Sequence, residues 1–355
     1  MNVYGVIMAG GGGTRFWPLS RQEEPKQLLN LSGKELMVNE TIDRIATIAD
    51  KKDIFIVTNT TQVPKMRQAT ASRIQENHIL AEPSARNTSA CIGYAALEIV
   101  KKYGDGIMTI FPSDHFIKNQ PEFTRVLNEA IKVAEEEDKL ITLGITPTYA
   151  CTGYGYIRFD KNDDGYAKQV VEFKEKPDEE TAKEYVASGE YAWNSGMFIW
   201  KASTILKAFE ELLPDVYACL SKIGDAMNTP DEEKVIAEVY PTIPSISIDY
   251  GIMEKSPDVK VISAEFGWND VGSWDNLGVL YDEDANGNVV AGQHIGIDTT
   301  NSIVYSNKRL ITTIGVDNLI VVETDDAILV CDKNKAQDVK KIVDQLKAEG
   351  RNELL

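Results

Sequence analysis

The chain has 355 residues, 43% of them hydrophobic and 26% charged, enough for one large core and a smaller second one. A formal net charge of −18, with no lysine-containing segment free of acids, argues against nucleic acid as a partner. The longest apolar runs, such as "GIMTIF", fall far short of the roughly 20 residues a membrane span needs, and "MNVYGVIMAGG" lacks the basic region and cleavage site of a secretion signal, so a cytoplasmic protein off the membrane is expected.

From residue 3 to about 145, short apolar runs ("VYGVIM", "DIFIVT", "HILAEP", "GIMTIFP", "KLITLGI") alternate with helical patterns at 34 to 46, 62 to 75, 87 to 102 and 120 to 137. Near-continuous apolar strands joined by helical crossovers predict an α/β, doubly wound, Rossmann-like sheet covered on both faces, with its ligand at the carboxyl ends of the strands. Residues 150 to 280 mix strands ("YGYIRF", "QVVEFKEK", "WNSGMFIW") with helical stretches at 179 to 189, 203 to 240 and 273 to 281, an extension expected to form the other wall of the crevice. Beyond 286, short strands recur between turn signals ("NVVAG", "SIVYS", "LITTIG", "LIVVET", "AILVCD") and end in a charged helix from Lys335 to Glu349. The expected organisation is a catalytic domain over 1–285 and a small β domain of stacked short strands over 286–355, useful for packing or for pairing two copies into a homodimer.

The stretch "AGGGGTRFWPLSRQEEPKQ", Ala9 to Gln27, follows the first strand. Its glycines let a phosphate approach the backbone, yet the spacing of a P-loop is missing and the cations are Arg15 and Lys26. Arg15 would meet a phosphate through its planar fork and Lys26 as a point charge. The four cysteines (Cys91, Cys151, Cys219, Cys331) form no C-x-x-C pair and read as reduced core residues. "DKNDDG" and "DEDANG" resemble half of a calcium loop, but position 12 would be Val171 and Gln293, so both read as polar turns.

"GGGGTRFWPLS" followed by "PKQ" resembles the signature of sugar-1-phosphate nucleotidylyltransferases. "EPSARNTSA", "FPSDHFI", "GYGYI", "EFKEKP", "WNSGMFIW", "SIDYGIMEKS" and "WNDVGSWDNL" resemble the guanylyltransferase branch acting on mannose 1-phosphate, in the same order, over about residues 3 to 280. The resemblance implies that GTP and mannose 1-phosphate give GDP-mannose and pyrophosphate with Mg²⁺. A sugar phosphate is already largely ionised near neutral pH, so this chemistry needs no serine nucleophile or general base. That suits a chain with three histidines, His78, His115 and His294.

The resemblance also implies roles for single residues. Arg15, Lys26 and Lys176 would act on the phosphates, Lys176 on that of the sugar. Ala9, Gly10, Gly11, Gly12, Gly13, Thr14 and Ser113 would hold the nucleotide, with Glu82, Pro83, Arg86, Asn87 and Thr88 beside the nucleoside. Gly155, Glu175, Asn194 and Asp249 would take the hexose, and Asp114 and Asp270 the Mg²⁺. From the residues alone, Asp114 reads equally as a turn or cap aspartate, Glu175 and Lys176 as a surface ion pair, and Asn87 as the cap of a helix. A nucleotidylyltransferase for another base or sugar, and a non-catalytic binding protein that has lost its metal carboxylates, are the rival readings; the second is disfavoured because Asp114 and Asp270 are present. The tail holds one histidine, His294, and no H-x-H cluster, so the metal-dependent isomerase fused to some longer relatives is not expected here.

Overall fold

A computed structural model describes residues 1–174 and 176–355. Among the described residues nine strands form one mixed sheet: β1 (Val3–Met8), β2 (Ile54–Asn59), β3 (Ile79–Glu82), β4 (Ile107–Pro112), β6 (Leu140–Ile145), β7 (Tyr156–Phe159), β8 (Lys168–Lys174), β9 (Tyr191–Lys201) and β10 (Val259–Ala264). The two-residue strands β5 (Phe116–Ile117) and β11 (Trp268–Asn269) pair separately beside it. The order across the sheet is β3-β2-β1-β4-β9-β6-β10-β8-β7, with β3, β2, β1 and β4 mutually parallel. Val, Ile and Phe fill both faces of β1, β2 and β4, which suits strands covered on two sides by helices.

The crossovers are α1 (Met37–Ile45), α2 (Val63–Thr70), α3 (Asn87–Tyr103) and α4 (Gln120–Glu136). The strands expected in the other wall of the crevice, β7, β8 and β9, join the same sheet, with β9 antiparallel between β4 and β6. The long helical stretch expected at 203 to 240 is three helices, α6 (Ala202–Leu212), α7 (Pro214–Ala226) and α8 (Glu232–Val239), following α5 (Glu179–Ser188). Pro214 supplies the first break, because a ring without an N–H starts a helix but cannot continue one. No helix among the described residues is long and apolar enough to cross a membrane.

After residue 286 the chain coils through β12 (Val289–Ala291), β13 (His294–Ile297), β14 (Ile303–Ser306), β15 (Ile311–Ile314), β16 (Leu319–Glu323) and β17 (Ile328–Asp332). β12, β14 and β16 stack in parallel, aligning Val289 with Ile303 and Ile303 with Ile320, all buried. The closing helix α9 (Val339–Ala348) lays Val339 and Val343, four residues apart on one face, onto this stack. The same core takes in Phe16, Trp17, Leu29 and Leu31 from the segment around the glycine loop, with Trp274 fully buried and its ring 5.1 Å from that of Phe16.

Candidate active site

The crevice lies at the carboxyl ends of β1, β3 and β4, a cleft of about 540 Å³. Beyond β1 the Ala9 N–H bonds to the Val57 carbonyl at 2.8 Å, and the glycines run along the rim. Gly13 has φ 57°, and a Cβ there would come within 2.5 Å of Lys26 Cβ, so the loop can fold back on the Lys26 segment only with glycine at this position. A Cβ on Gly10 would lie 3.0 Å from Glu82 Oε2. Glu82 ends β3 and is 5% exposed; burial raises its pKa, while the Tyr240 hydroxyl that donates to its other oxygen works in the opposite direction.

Helix α3 begins beside it. Asn87 takes φ 64° and its Oδ1 accepts from the Thr88 N–H at 2.8 Å, while Arg86 occupies the cap position without a side-chain cap bond; the cap expected from Asn87 is displaced by one residue. Thr88 Oγ1 accepts from the Ile248 N–H at 2.8 Å, which ties the start of α3 to the segment carrying Asp249. Arg86 lines the cleft, and its buried Nε has no hydrogen-bond partner among the described residues.

The acids come from opposite parts of the chain and meet around one cation. Lys26, 5% exposed, places its ammonium 3.0 Å from Asp114 Oδ2 and donates to the Asp270 carbonyl at 2.6 Å. Burial disfavours the Asp114 charge, but the Lys26 ammonium leads the opposing pull and the carboxyl stays below its ordinary range. Asp270 Oδ1 accepts from the Tyr154 hydroxyl at 3.0 Å. The next residue, Val271, has φ 45°, a costly conformation for a β-branched residue, and its N–H donates to Asn269 Oδ1 at 2.7 Å. Beside the pair, burial drives the His115 pKa down to about 4, so its neutral Nδ1 accepts from the Trp268 indole at 3.0 Å. Two hard carboxylates facing a cleft suit Mg²⁺, which takes one or two such ligands and completes its shell from phosphate and water. Among the described residues no group of three or more metal-binding side chains forms, so the ligand would have to supply much of that shell.

Across the cleft, Asn194 of β9 donates from Nδ2 to Asp249 Oδ1 at 2.7 Å, and its N–H donates to the Gly155 carbonyl at 2.8 Å. Asp249 opens a π turn, Asp249–Met253. The cleft thus brings together Gly10, Gly11, Glu82, Arg86, Asn87, Thr88, Ser113, Asp114, Gly155, Lys176, Asn194, Asp249 and Asp270. Ala9, Gly12, Gly13, Thr14, Arg15 and Pro83 do not line it; Ala9 is buried under the loop and Arg15 is exposed on a short 3₁₀ turn, Thr14–Phe16. Lys26 does not line it either, being engaged with the Asp114 carboxylate and the Asp270 backbone carbonyl. Glu175 lies outside the described residues. Sequence reasoning missed Gln27, His115, Tyr154 and Trp268, which line the same cleft. All four sit in the quoted motifs "PKQ", "FPSDHFI", "GYGYI" and "WNDVGSWDNL", so position within a motif was the available signal.

Known families and proteins match this chain along most of its length. Residues 4–286 match the Nucleotidyl transferase family and residues 292–346 the MannoseP isomerase/GMP-like beta-helix domain. The chain is 40% identical over 351 residues to the mannose-1-phosphate guanylyltransferase of Salmonella muenchen, covering 98% of this chain and 74% of the relative. It is 41% identical to the Escherichia coli K12 protein of the same name, covering 99% and 75%. A crystal structure from Thermus thermophilus, described as a mannose-1-phosphate geranyltransferase, superposes with a TM-score of 0.89 at 31% identity, covering 98% of this chain and all of that one. A glycine loop, two facing carboxylates and a polar pocket in one crevice, with matches along nearly the whole chain, place this protein in the nucleotidyl transferase family, in its mannose-1-phosphate guanylyltransferase branch.

Proposed function

We propose that the protein transfers GMP from GTP to mannose 1-phosphate. A sugar-phosphate oxygen attacks the α-phosphorus, a new P–O bond forms, the bond to the β-phosphate breaks, and pyrophosphate leaves with the electron pair. The observation that carries this reading is the Lys26 ammonium joining Asp114 to the Asp270 backbone between a nucleotide side and a hexose side. Asp114 and Asp270 would hold Mg²⁺, which when bound neutralises phosphate charge at the reacting centre. Lys26 keeps the two acids together, Lys176 faces the sugar phosphate, and Asn194 with Asp249 offers donors and acceptors to hexose hydroxyls. Arg15, exposed outside the cleft lining, would meet the terminal phosphates. Guanine differs from adenine in presenting N1–H and N2–H₂ donors, and Glu82, which lines the cleft and accepts from Tyr240, would serve as an acceptor for them.

A panel of GTP, ATP, UTP and dTTP against mannose 1-phosphate and glucose 1-phosphate, read by pyrophosphate release, tests the reading. GTP with mannose 1-phosphate should give the highest kcat/KM. A tenfold advantage for UTP or dTTP with glucose 1-phosphate would refute the choice of substrates.

A further inference from the structure

The glycine loop is fastened by three buried side chains, of which Gln62 and Thr58 lie outside the quoted motifs and outside the cleft lining. Gln27 Nε2 donates to the Ala9 carbonyl at 2.7 Å and the Gly11 carbonyl at 3.1 Å. Gln62 Nε2 also reaches the Gly11 carbonyl, at 3.3 Å, and Thr58 Oγ1 the Ala9 carbonyl, at 2.9 Å. The three are mutually tied: Gln62 Oε1 lies 3.2 Å from Gln27 Nε2 and 3.0 Å from Thr58 Oγ1. All are buried, with Gln27 2%, Gln62 3% and Thr58 0% exposed. Two buried amides and a hydroxyl thus converge on the carbonyls of alternate loop residues.

A trans peptide points its N–H opposite to its C=O. Fixing the Ala9 carbonyl inward therefore turns the Gly10 N–H outward, and fixing the Gly11 carbonyl does the same for Gly12. Neither N–H donates to a protein acceptor among the described residues, and Gly10 and Gly12 are exposed. We infer that Gln27, Gln62 and Thr58 are positioning residues that set the loop's peptide planes, so that the Gly10 and Gly12 amides present a preformed pair of donors to a polyphosphate. The inference rests on reading this loop as the triphosphate site. It gives Gln62, which does not line the cleft, an effect on nucleotide binding that acts wholly through the backbone. An unfastened glycine loop would populate many peptide orientations and lose that conformational entropy on binding.

The test uses the full chain and inorganic tripolyphosphate with Mg²⁺, a probe with neither base nor sugar. Titration calorimetry gives the affinity, and amide spectra of ¹⁵N-labelled protein show which N–H groups respond. In the wild type the Gly10 and Gly12 amides should shift. Gln62→Leu, folded by circular dichroism, should bind tripolyphosphate at least tenfold more weakly, lose those shifts and raise KM for GTP, while KM for mannose 1-phosphate moves less than threefold. Binding within twofold of wild type, with both amides still shifting, would overturn the inference. So would loss on Gln27→Leu alone, because Gln27 lines the cleft and would then act by direct contact. If Gln62→Leu does not fold, Thr58→Val and Thr58→Ser decide: Val should weaken binding at least threefold and Ser restore it to within twofold, and equal affinities would overturn the inference. A wild type that turns over UTP better than GTP would refute the proposed base while leaving these results intact. A wild type that does not bind tripolyphosphate would overturn both.

Discussion

The two sides of the cleft are built from different materials. The side proposed for the nucleotide is mostly backbone: glycines, a helix start and strand ends, anchored by buried groups such as Gln27, Gln62 and the Tyr240-bonded Glu82. The side proposed for the sugar is mostly side chains, Lys176, Asn194 and Asp249, in partly open positions. A triphosphate is met by donors on a fixed frame, whereas a hexose with many hydroxyls needs groups that can act as donor or acceptor. The fixed side should therefore govern rate, and the other side choice of sugar.

The strongest test lies where the sides meet. Asp114→Asn and Asp270→Asn keep shape and remove one charge each; both variants should fold and lose turnover by roughly 10² or more, the size seen when one preorganised electrostatic contact is removed. Stopped-flow pyrophosphate release across a Mg²⁺ titration checks this. The two acids should not be equivalent in structure, because Asp114 is the partner of the Lys26 ammonium whereas Asp270 offers Lys26 its carbonyl. Asp114→Asn should lower thermal stability more than Asp270→Asn, since it leaves a buried ammonium without its counter-charge. Near-normal turnover at limiting Mg²⁺ in either variant would remove that residue from the metal site and leave the sides independent.

This division also explains what could be read from the sequence. β1, β3 and β4 are continuous apolar strands, so their ends, and the motifs "GGGG", "EPSARNT" and "PSDH" that follow, were placed from periodicity and turn residues. Asn194 was picked from a motif, but its place depends on β9 running antiparallel between β4 and β6, a long-range pairing that no local pattern encodes. β10 went unread, since "VKVISA" is short and its pairing with β6 lies over a hundred residues away in the chain. Lys26 was expected to face phosphate; its partners Asp114 and Asp270 sit far along the sequence, so its burial between them was invisible. The tail's stacked strands were legible as turn-punctuated repeats, whereas their packing against Phe16 and Trp17 was not.

A smaller effect should come from Glu82. Burial lifts its pKa, and guanine needs its ionised form, so kcat/KM for GTP should rise with pH through a range above that of an ordinary glutamate. Glu82→Gln should lack that rise and lose about tenfold of the preference for GTP over ATP, in line with one polar contact to a base edge. The variant shares the substrate's own phosphate titration, so the ratio of the two profiles isolates Glu82. Stability should respond with the opposite sign. A carboxyl whose folded pKa is raised stabilises the fold fully below its unfolded pKa, and that contribution is lost as pH rises through the folded value. Glu82→Gln should thus compare better with wild type at pH 8 than at pH 4 in urea melts. A pH-independent ratio of the kinetic profiles would separate Glu82 from the base.

The smallest effect is expected from the outermost support of the nucleotide side. The Trp17 indole donates to the Leu354 carbonyl at 2.9 Å, so the tail holds the segment that follows the glycine loop, and from outside the tail the Trp274 indole donates to the Trp17 carbonyl at 3.0 Å. Trp17→Phe keeps an aromatic ring in that core but removes the first of these bonds and some packed volume. It should cost about 1–2 kcal/mol in urea denaturation. Its effect on chemistry should be slight, because Gln27, Gln62 and Thr58 fix the loop carbonyls independently of the tail. A threefold or smaller change in kcat/KM for GTP, with KM for mannose 1-phosphate unchanged, is the expected result. A tenfold fall in kcat at unchanged stability would mean that the loop is held chiefly by the tail, and the fixed side of the cleft would then have to be redrawn to include the β-helix domain.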